Sequence, residues 1–250
     1  MTQPVKFGVL SLSASSETGD DSEYLAWHQL DHMPQQWEIP GMVLGQRWAS
    51  TPECRAARAA QDERFTPVNH VVHYLWGEPL ASSIDDFFTL GAHLHKVGRF
   101  PHRLPAVFLG GFDLATMHAA PSALVSAEVV PFRPNRGMFL VVEYPADAGG
   151  ATNATSWKPD DVDAVLATEG VAGMWTFAPG ALRLDRFDTT GASASVVYLD
   201  DEPVATAARL DALLAARWAR DGITPALAAP FVAVRPWEWD RHGQPGAPTP

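Results

Sequence analysis

At 250 residues, the chain is long enough for one large domain or two of about 125, and its 46% hydrophobic and 19% charged residues supply a core and argue against bulk disorder. A net charge of -11 with dispersed Lys and Arg excludes a nucleic-acid partner, since a phosphate backbone would be repelled. Cys54, the single cysteine, excludes an intrachain disulfide framework and a Cys-rich metal site; no apolar run nears the roughly 20 residues of a membrane span and the N-terminus lacks a secretory pattern, so a cytoplasmic protein is expected.

In chain order, the hydrophobic periodicity predicts a strand at Lys6–Ser13, a helix at Ser22–Trp37, strands at Met42–Trp48 and Asn69–Trp76, a helix at Ile84–Lys96 and a strand at Ala106–Phe112. Cys54 falls in a polar segment, Pro52 to Pro67, that reads as a loop or surface helix and makes a poor setting for a nucleophile. His118 to Asn135, rich in small residues and prolines, reads as a linker. The pattern then recurs: strand Met138–Tyr144, helix Asp160–Ala167, strands Val171–Phe177 and Ala194–Leu199, helix Val204–Ala219 and strand Phe231–Arg235. The tail GQPGAPTP is expected to be disordered.

Two short matches support a repeat. Tyr74-Leu-Trp-Gly-Glu-Pro79 answers Tyr198-Leu-Asp-Asp-Glu-Pro203, and Ile39-Pro40-Gly41-Met42 answers Val171-Ala172-Gly173-Met174. The expected organisation is thus α+β: tandem ferredoxin-like βαββαβ halves, 1–117 and 136–240, joined by 118–135 and followed by a tail at 241–250. Each half leaves one sheet face without helices. Two such faces packed together enclose a barrel, and the space between them is the expected pocket.

The segment Glu23-Tyr-Leu-Ala-Trp-His-Gln-Leu-Asp-His32-Met-Pro34, continuing through Ile39-Pro40-Gly41-Met42 to Gln46-Arg47-Trp48, resembles the EthD-like branch of the dimeric α+β barrel superfamily. Met33 stands where that branch has Leu, and Asp31 where Glu is common. The resemblance implies a barrel of the kind just described. It leaves chemistry open, because the superfamily includes cofactor-free isomerases, cyclases, dehydratases and monooxygenases as well as haem enzymes.

The alignment of the two halves sets His32 against Ala164, His28 against Asp160, His73 against Val197 and His70 against Ala194, so these imidazoles are confined to the first half. The site is expected there, with the second half as scaffold. His28 and His32, four apart, stand about 40° apart on one helix stripe with Tyr24 and Leu25, and Asp31 or a backbone group would orient His32. His70 and His73 lie at odd separation on one strand, so only one can enter the pocket; His73 is preferred. The expected catalytic set is His32 or His73 as base with Arg47 holding an oxyanion, and Tyr24, Trp27, His28, Trp48 and Trp76 binding the substrate.

These residues suit a cofactor-independent lyase, isomerase or cyclase acting on a small hydrophobic carbonyl compound, aromatic or polyketide-like. Two alternatives stand beside it. One is a haem-dependent oxidase or dehydratase ligated by His93, His95 or His102; the other is a non-catalytic binding or accessory protein. His28-x-x-x-His32 has metal-chelating spacing but lacks the Glu of His-Glu-x-x-His, so no metal is expected. Absence of Gly-rich phosphate loops and of a Gly-x-Ser-x-Gly elbow disfavours nucleotide chemistry and serine hydrolysis. Exposed edges could support a further homodimer.

Overall fold

The computed structural model describes residues 4–100, 103–145, 156–180, 182, 184 and 191–242. Its elements are β1 (Phe7–Ser13), α1 (Ser22–Trp27), a π-helical turn (His28–His32), α2 (Met33–Gln36), β2 (Met42–Ala49), α3 (Pro52–Ala56), β3 (Ala60–Gln61), β4 (His70–Trp76), α4 (Leu80–Lys96), β5 (Ala106–Ala119), β6 (Gly137–Pro145), α5 (Pro159–Ala167), β7 (Val171–Pro179), β8 (Ser193–Leu199), α6 (Pro203–Asp221) and β9 (Ile223–Ala233), with short 3-10 turns after β5 and at Trp239–His242. Strands run in the order β2-β4-β1-β5-β7-β8-β6-β9, and β2 pairs with β9 to close an eight-stranded antiparallel barrel; β3 adds to β9 from outside.

β4 (HVVHYLW) and β8 (SASVVYL) are buried at every position, because one face looks into the barrel and the other is covered by helices. Eight strands enclose a space that side chains can fill. Leu10, Trp48, Phe108, Phe112, Trp175 and Phe231 are among those that fill it here. Much of the interior between the sheets is apolar, with the His73 imidazole and the Tyr198 hydroxyl also buried there, and further polar groups lie on the outer faces, beneath the helices.

The halves repeat in register. Lys6 N–H donates to the Trp76 carbonyl at 2.7 Å and Arg136 N–H to that of Leu199 at 2.8 Å; Gly77 N–H donates to Gly41 and Asp200 N–H to Gly170, both at 2.8 Å. Gly41 and Gly170 each precede a strand at positive φ, +81° and +90°, where a side chain would be strained. This equates Gly41 with Gly170, not Gly173, and Trp76 with Leu199. The tyrosines matched in sequence differ in facing: Tyr74 lies under the helices, whereas Tyr198 points into the barrel. Short identities marked the repeat but mis-set its register by one residue on β4 and three on β2, and one residue is enough to exchange the faces of a strand. In the corrected register Arg47 corresponds to Thr176, His70 to Ser193 and His73 to Val196.

Other boundaries shift for physical reasons. β9 begins at Ile223, eight residues before the sequence reading, because Pro225 and Pro230 break the usual strand pattern; Pro225 sits at a bulge against Glu143. β5 runs on to Ala119, into the expected linker, because it must reach across to β7. α4 starts four residues earlier than expected, at Leu80. The Pro52 to Pro67 segment is not all surface: Cys54 is buried in α3, whose N-terminus Thr51 caps with a 3.2 Å bond to the Cys54 N–H. The GQPGAPTP tail lies outside the described residues. Among the described residues no helix is long and apolar enough to cross a membrane.

Candidate functional site

Pro34 has no N–H to give the Leu30 carbonyl, and the turn before it widens, so that Met33 N–H bonds His28 five residues back. His28 and His32 still emerge on one side, and both are buried against the outer face of the first-half sheet. On that face Arg47 of β2 pairs across from Val72, which makes His70 and Tyr74 its diagonal neighbours, about 7–8 Å away along the strands. His28, His32, His70, Tyr74 and Arg47 thus converge under the α1–α2 run.

Their hydrogen bonds assign tautomers. A carboxylate only accepts, so the 2.7 Å contact of His70 Nε2 with Asp21 Oδ2 is an N–H donated by the ring, which leaves a lone pair on His70 Nδ1. Asp21 is held in turn by the Ser16 N–H at 2.8 Å. Gln36 Nε2 donates to His32 Nε2 at 2.8 Å, so His32 carries its proton on Nδ1. His28 Nε2 and the Tyr74 hydroxyl share a 3.3 Å bond. Asp31 does not orient His32 as the sequence suggested; it bonds Arg99 and Gln35 at the surface.

Arg47 is only 4% exposed, yet its Nε and Nη1 have no hydrogen-bond partner and no carboxylate pairs with it among the described residues. The Tyr24 ring, 5.2 Å from its Cζ, is its recorded neighbour of note. A buried charge without a counter-ion is costly, and cations of this kind are usual where an anion is to be bound. His70 Nδ1 and His32 Nδ1 are likewise buried and unpartnered. Trp27 stacks on His32 at 4.9 Å and 10°, Phe100 packs on Trp27 at 4.3 Å, and with Tyr24 these rings form a half-buried aromatic edge to the cluster.

Burial, then the charge of Arg47, hold His28 well below the usual imidazole range and His32 at about 4. His70 is also lowered, by burial that outweighs the opposing bond to Asp21. Burial opposes ionisation of Asp21, but the hydrogen bonds from His70 and Ser16 outweigh it and keep the carboxylate ionised. Burial raises the Tyr74 hydroxyl above its ordinary range. The imidazoles are therefore neutral at pH 7. Unfolded, they would take up protons below their ordinary 6.5, while His32 in the fold resists until about 4. Stability should then fall as pH drops from 6.5 towards 4, by about 1.4 kcal/mol per pH unit for each imidazole held neutral. Thermal melts across that range check this, with His32→Gln flattening the slope; a parent protein whose melting point is level from pH 7 to 4 would contradict it.

Of the residues expected from sequence, His32, His28, Arg47, Tyr24 and Trp27 come together. His73 does not. It points into the barrel, 5.4 Å from Phe177, where burial alone drives it down to about 3. Trp48 is fully buried in the same interior, on the other face of β2 from Arg47. Trp76 shares the outer face but lies at its far end, packed on Phe87 at 5.6 Å. Asp21, Gln36 and Phe100 were missed, and His70 was passed over for His73. Parity with Tyr74 on β4 held the correct signal for His70. Of the histidines proposed for haem, His93 and His95 of α4 are exposed, and His102 lies outside the described residues. Among the described residues no group of three or more His, Cys, Asp or Glu side chains is placed to hold a metal ion.

No protein-family model and no curated protein matches the chain. Solved structures do. An anthrone oxidase-like protein aligns with TM-score 0.57 and 10% identity over 92% of each chain. A protein assigned as a chlorite dismutase aligns with TM-score 0.52 and 13% identity over 92% of this chain and 95% of that one. A protein assigned as a monooxygenase from Fusobacterium nucleatum aligns with TM-score 0.50 and 10% identity over 94% of each. At such identities the likeness is one of architecture: the chain has the dimeric α+β barrel fold, with both halves in one polypeptide.

Proposed function

We propose that the chain is a small-molecule enzyme that needs no organic cofactor and removes a proton from a carbon activated by a carbonyl group. The carrying observation is the buried, unpaired Arg47 guanidinium beside an imidazole whose open nitrogen is an acceptor. These are the two halves of one demand: a base for the proton and donors for the oxygen that becomes negative. His70 Nδ1 takes the proton, the electron pair moves onto the carbonyl oxygen, and Arg47 Nε–H and Nη1–H receive it. The proton held on His70 Nδ1 is then returned to a second carbon of the delocalised anion, which completes an isomerisation and restores the neutral imidazole, while His32 Nδ1–H can donate a hydrogen bond to the substrate. Asp21 and Gln36 act as positioning residues, fixing the tautomers of His70 and His32. The aromatic edge suits a planar, apolar substrate.

Anthrone is a suitable probe, as loss of a ring methylene proton places charge on its carbonyl oxygen. Incubated in deuterium oxide, the protein should accelerate exchange at that carbon. His70→Gln should lower the acceleration by about 10²-fold or more. His73→Leu should leave it near the parent rate, being on the opposite face of β4. An oxygen electrode run alongside separates isomerisation from capture of the carbanion by dioxygen. Exchange that is unchanged in His70→Gln would remove the imidazole from the proposed role.

A further inference from the structure

The second half was expected to be scaffold, yet it contains a cavity of about 400 Å³, partly open to solvent, between its sheet and α5. It occupies the place that the Arg47 site occupies in the first half, since Thr176 and Ser193 line it and these correspond in register to Arg47 and His70. Among the described residues α5 spans 9 residues over this face, whereas the helical run Ser22 to Gln36 lies over the first sheet. What faces it is unlike ordinary sheet-helix packing. Deeper on the same face Val141, Val171, Met174 and Leu199 are fully buried and apolar, whereas the cavity wall adds Thr116, Thr176, Ser193 and Ser195 to apolar residues such as Val162 and Phe177.

The wall is built rather than incidental. Trp157 donates its indole N–H to Ser195 Oγ at 2.8 Å, and the Arg217 guanidinium lies 3.9 Å from its ring centroid. Arg217, with no exposure, is anchored to Glu143 at 2.5 Å, and the Trp218 indole N–H bonds the same carboxylate oxygen. The indole is thereby fixed from behind as a flat apolar surface. Opposite it, Thr116 and Thr176 share a 2.7 Å hydroxyl bond, and either can turn a donor or acceptor towards a guest. Among the described residues no Lys or Arg lines the cavity, and one carboxylate, Asp163, lies there and would repel an anion.

We propose that this cleft is a second ligand site, selective for an uncharged, hydroxylated aromatic molecule that lies against Trp157 and hydrogen-bonds Thr176 and Ser193. It is independent of the reading given to the Arg47 site, since neither its residues nor its ligand charge class are shared. The test uses 2-naphthol, neutral at pH 7, and 2-naphthoate, its anionic counterpart, in calorimetric titrations of the full chain. Parent protein should bind 2-naphthol saturably. Thr176→Val, which removes one hydroxyl at nearly constant shape, should weaken that binding by roughly fivefold. Ser193→Leu should abolish it by filling the cavity. His70→Gln should leave it intact, which separates this site from the first. Absence of saturable 2-naphthol binding, equal binding by the parent and both cavity variants, or 2-naphthoate binding lost in those same variants would each overturn the proposal.

Discussion

Arg47→Met is expected to lower kcat/KM for a carbonyl substrate by about 10²–10³-fold, while the melting temperature holds or rises. A structural arginine behaves in the opposite way, since its removal strands a partner and lowers stability. Arg47 has no carboxylate to strand among the described residues; its Nε and Nη1 are buried without partners, and the Tyr24 ring offers only a cation–π contact. Replacing the guanidinium by an apolar chain of similar length removes a desolvation cost at the expense of oxyanion binding, the usual exchange at a site strained for function. Arg47→Lys should recover little, because one ammonium does not reproduce two fixed N–H donors. Paired steady-state kinetics and thermal melts decide the matter. Parent-like activity in Arg47→Met, or activity lost only in proportion to unfolding, would end the assignment.

Glu143→Leu should be the most damaging single change to stability away from that site. Glu143 is 1% exposed and answers both Arg217 and Trp218. Removing it takes a buried carboxylate from a guanidinium of zero exposure, and breaking a buried ion pair typically costs about 3–5 kcal/mol. For a chain of this size that is on the order of 10 °C in melting temperature. The double variant Glu143→Leu with Arg217→Met should recover much of the loss, because apolar replacement of both partners leaves no charge buried alone. Scanning calorimetry of the three variants measures it. A single variant that melts with the parent would show that Arg217 is compensated in another way.

The architecture could be read from sequence because β-strand and helix periodicities survive in short windows. Runs such as Asn69–Trp76 and Val204–Ala219 announced their elements, and their order announced the repeat. Position on a face was harder. His70 and His73 are three apart on one strand, and nothing local says which side the helices will cover; only the placement of Tyr74, Val72 and Arg47 on a common outer face decides it. The same ambiguity bears on the expected pocket, since His73 faces the barrel interior with Trp48 and Phe177 while His70 faces the helices. Asp21 was invisible for a different reason: it reads as a helix-start residue, and its bond to His70 joins residues 49 apart in sequence. The first-half cluster was found because histidines are rare enough to stand out. The cleft of the second half was overlooked because serine and threonine are common in strands.

The paired hydrogen bonds that relate Gly41 to Gly170 and Trp76 to Leu199 carry one more implication. In an assembly of two identical subunits, a residue chosen for one groove is imposed on the other, so an isolated buried cation would weigh on the structure twice. Here both grooves belong to one polypeptide, and that burden falls once, at Arg47, while the matching position holds an uncharged threonine. Covalent union thus releases each side from copying its sibling, so that one position can carry a cation while its counterpart carries a neutral hydroxyl.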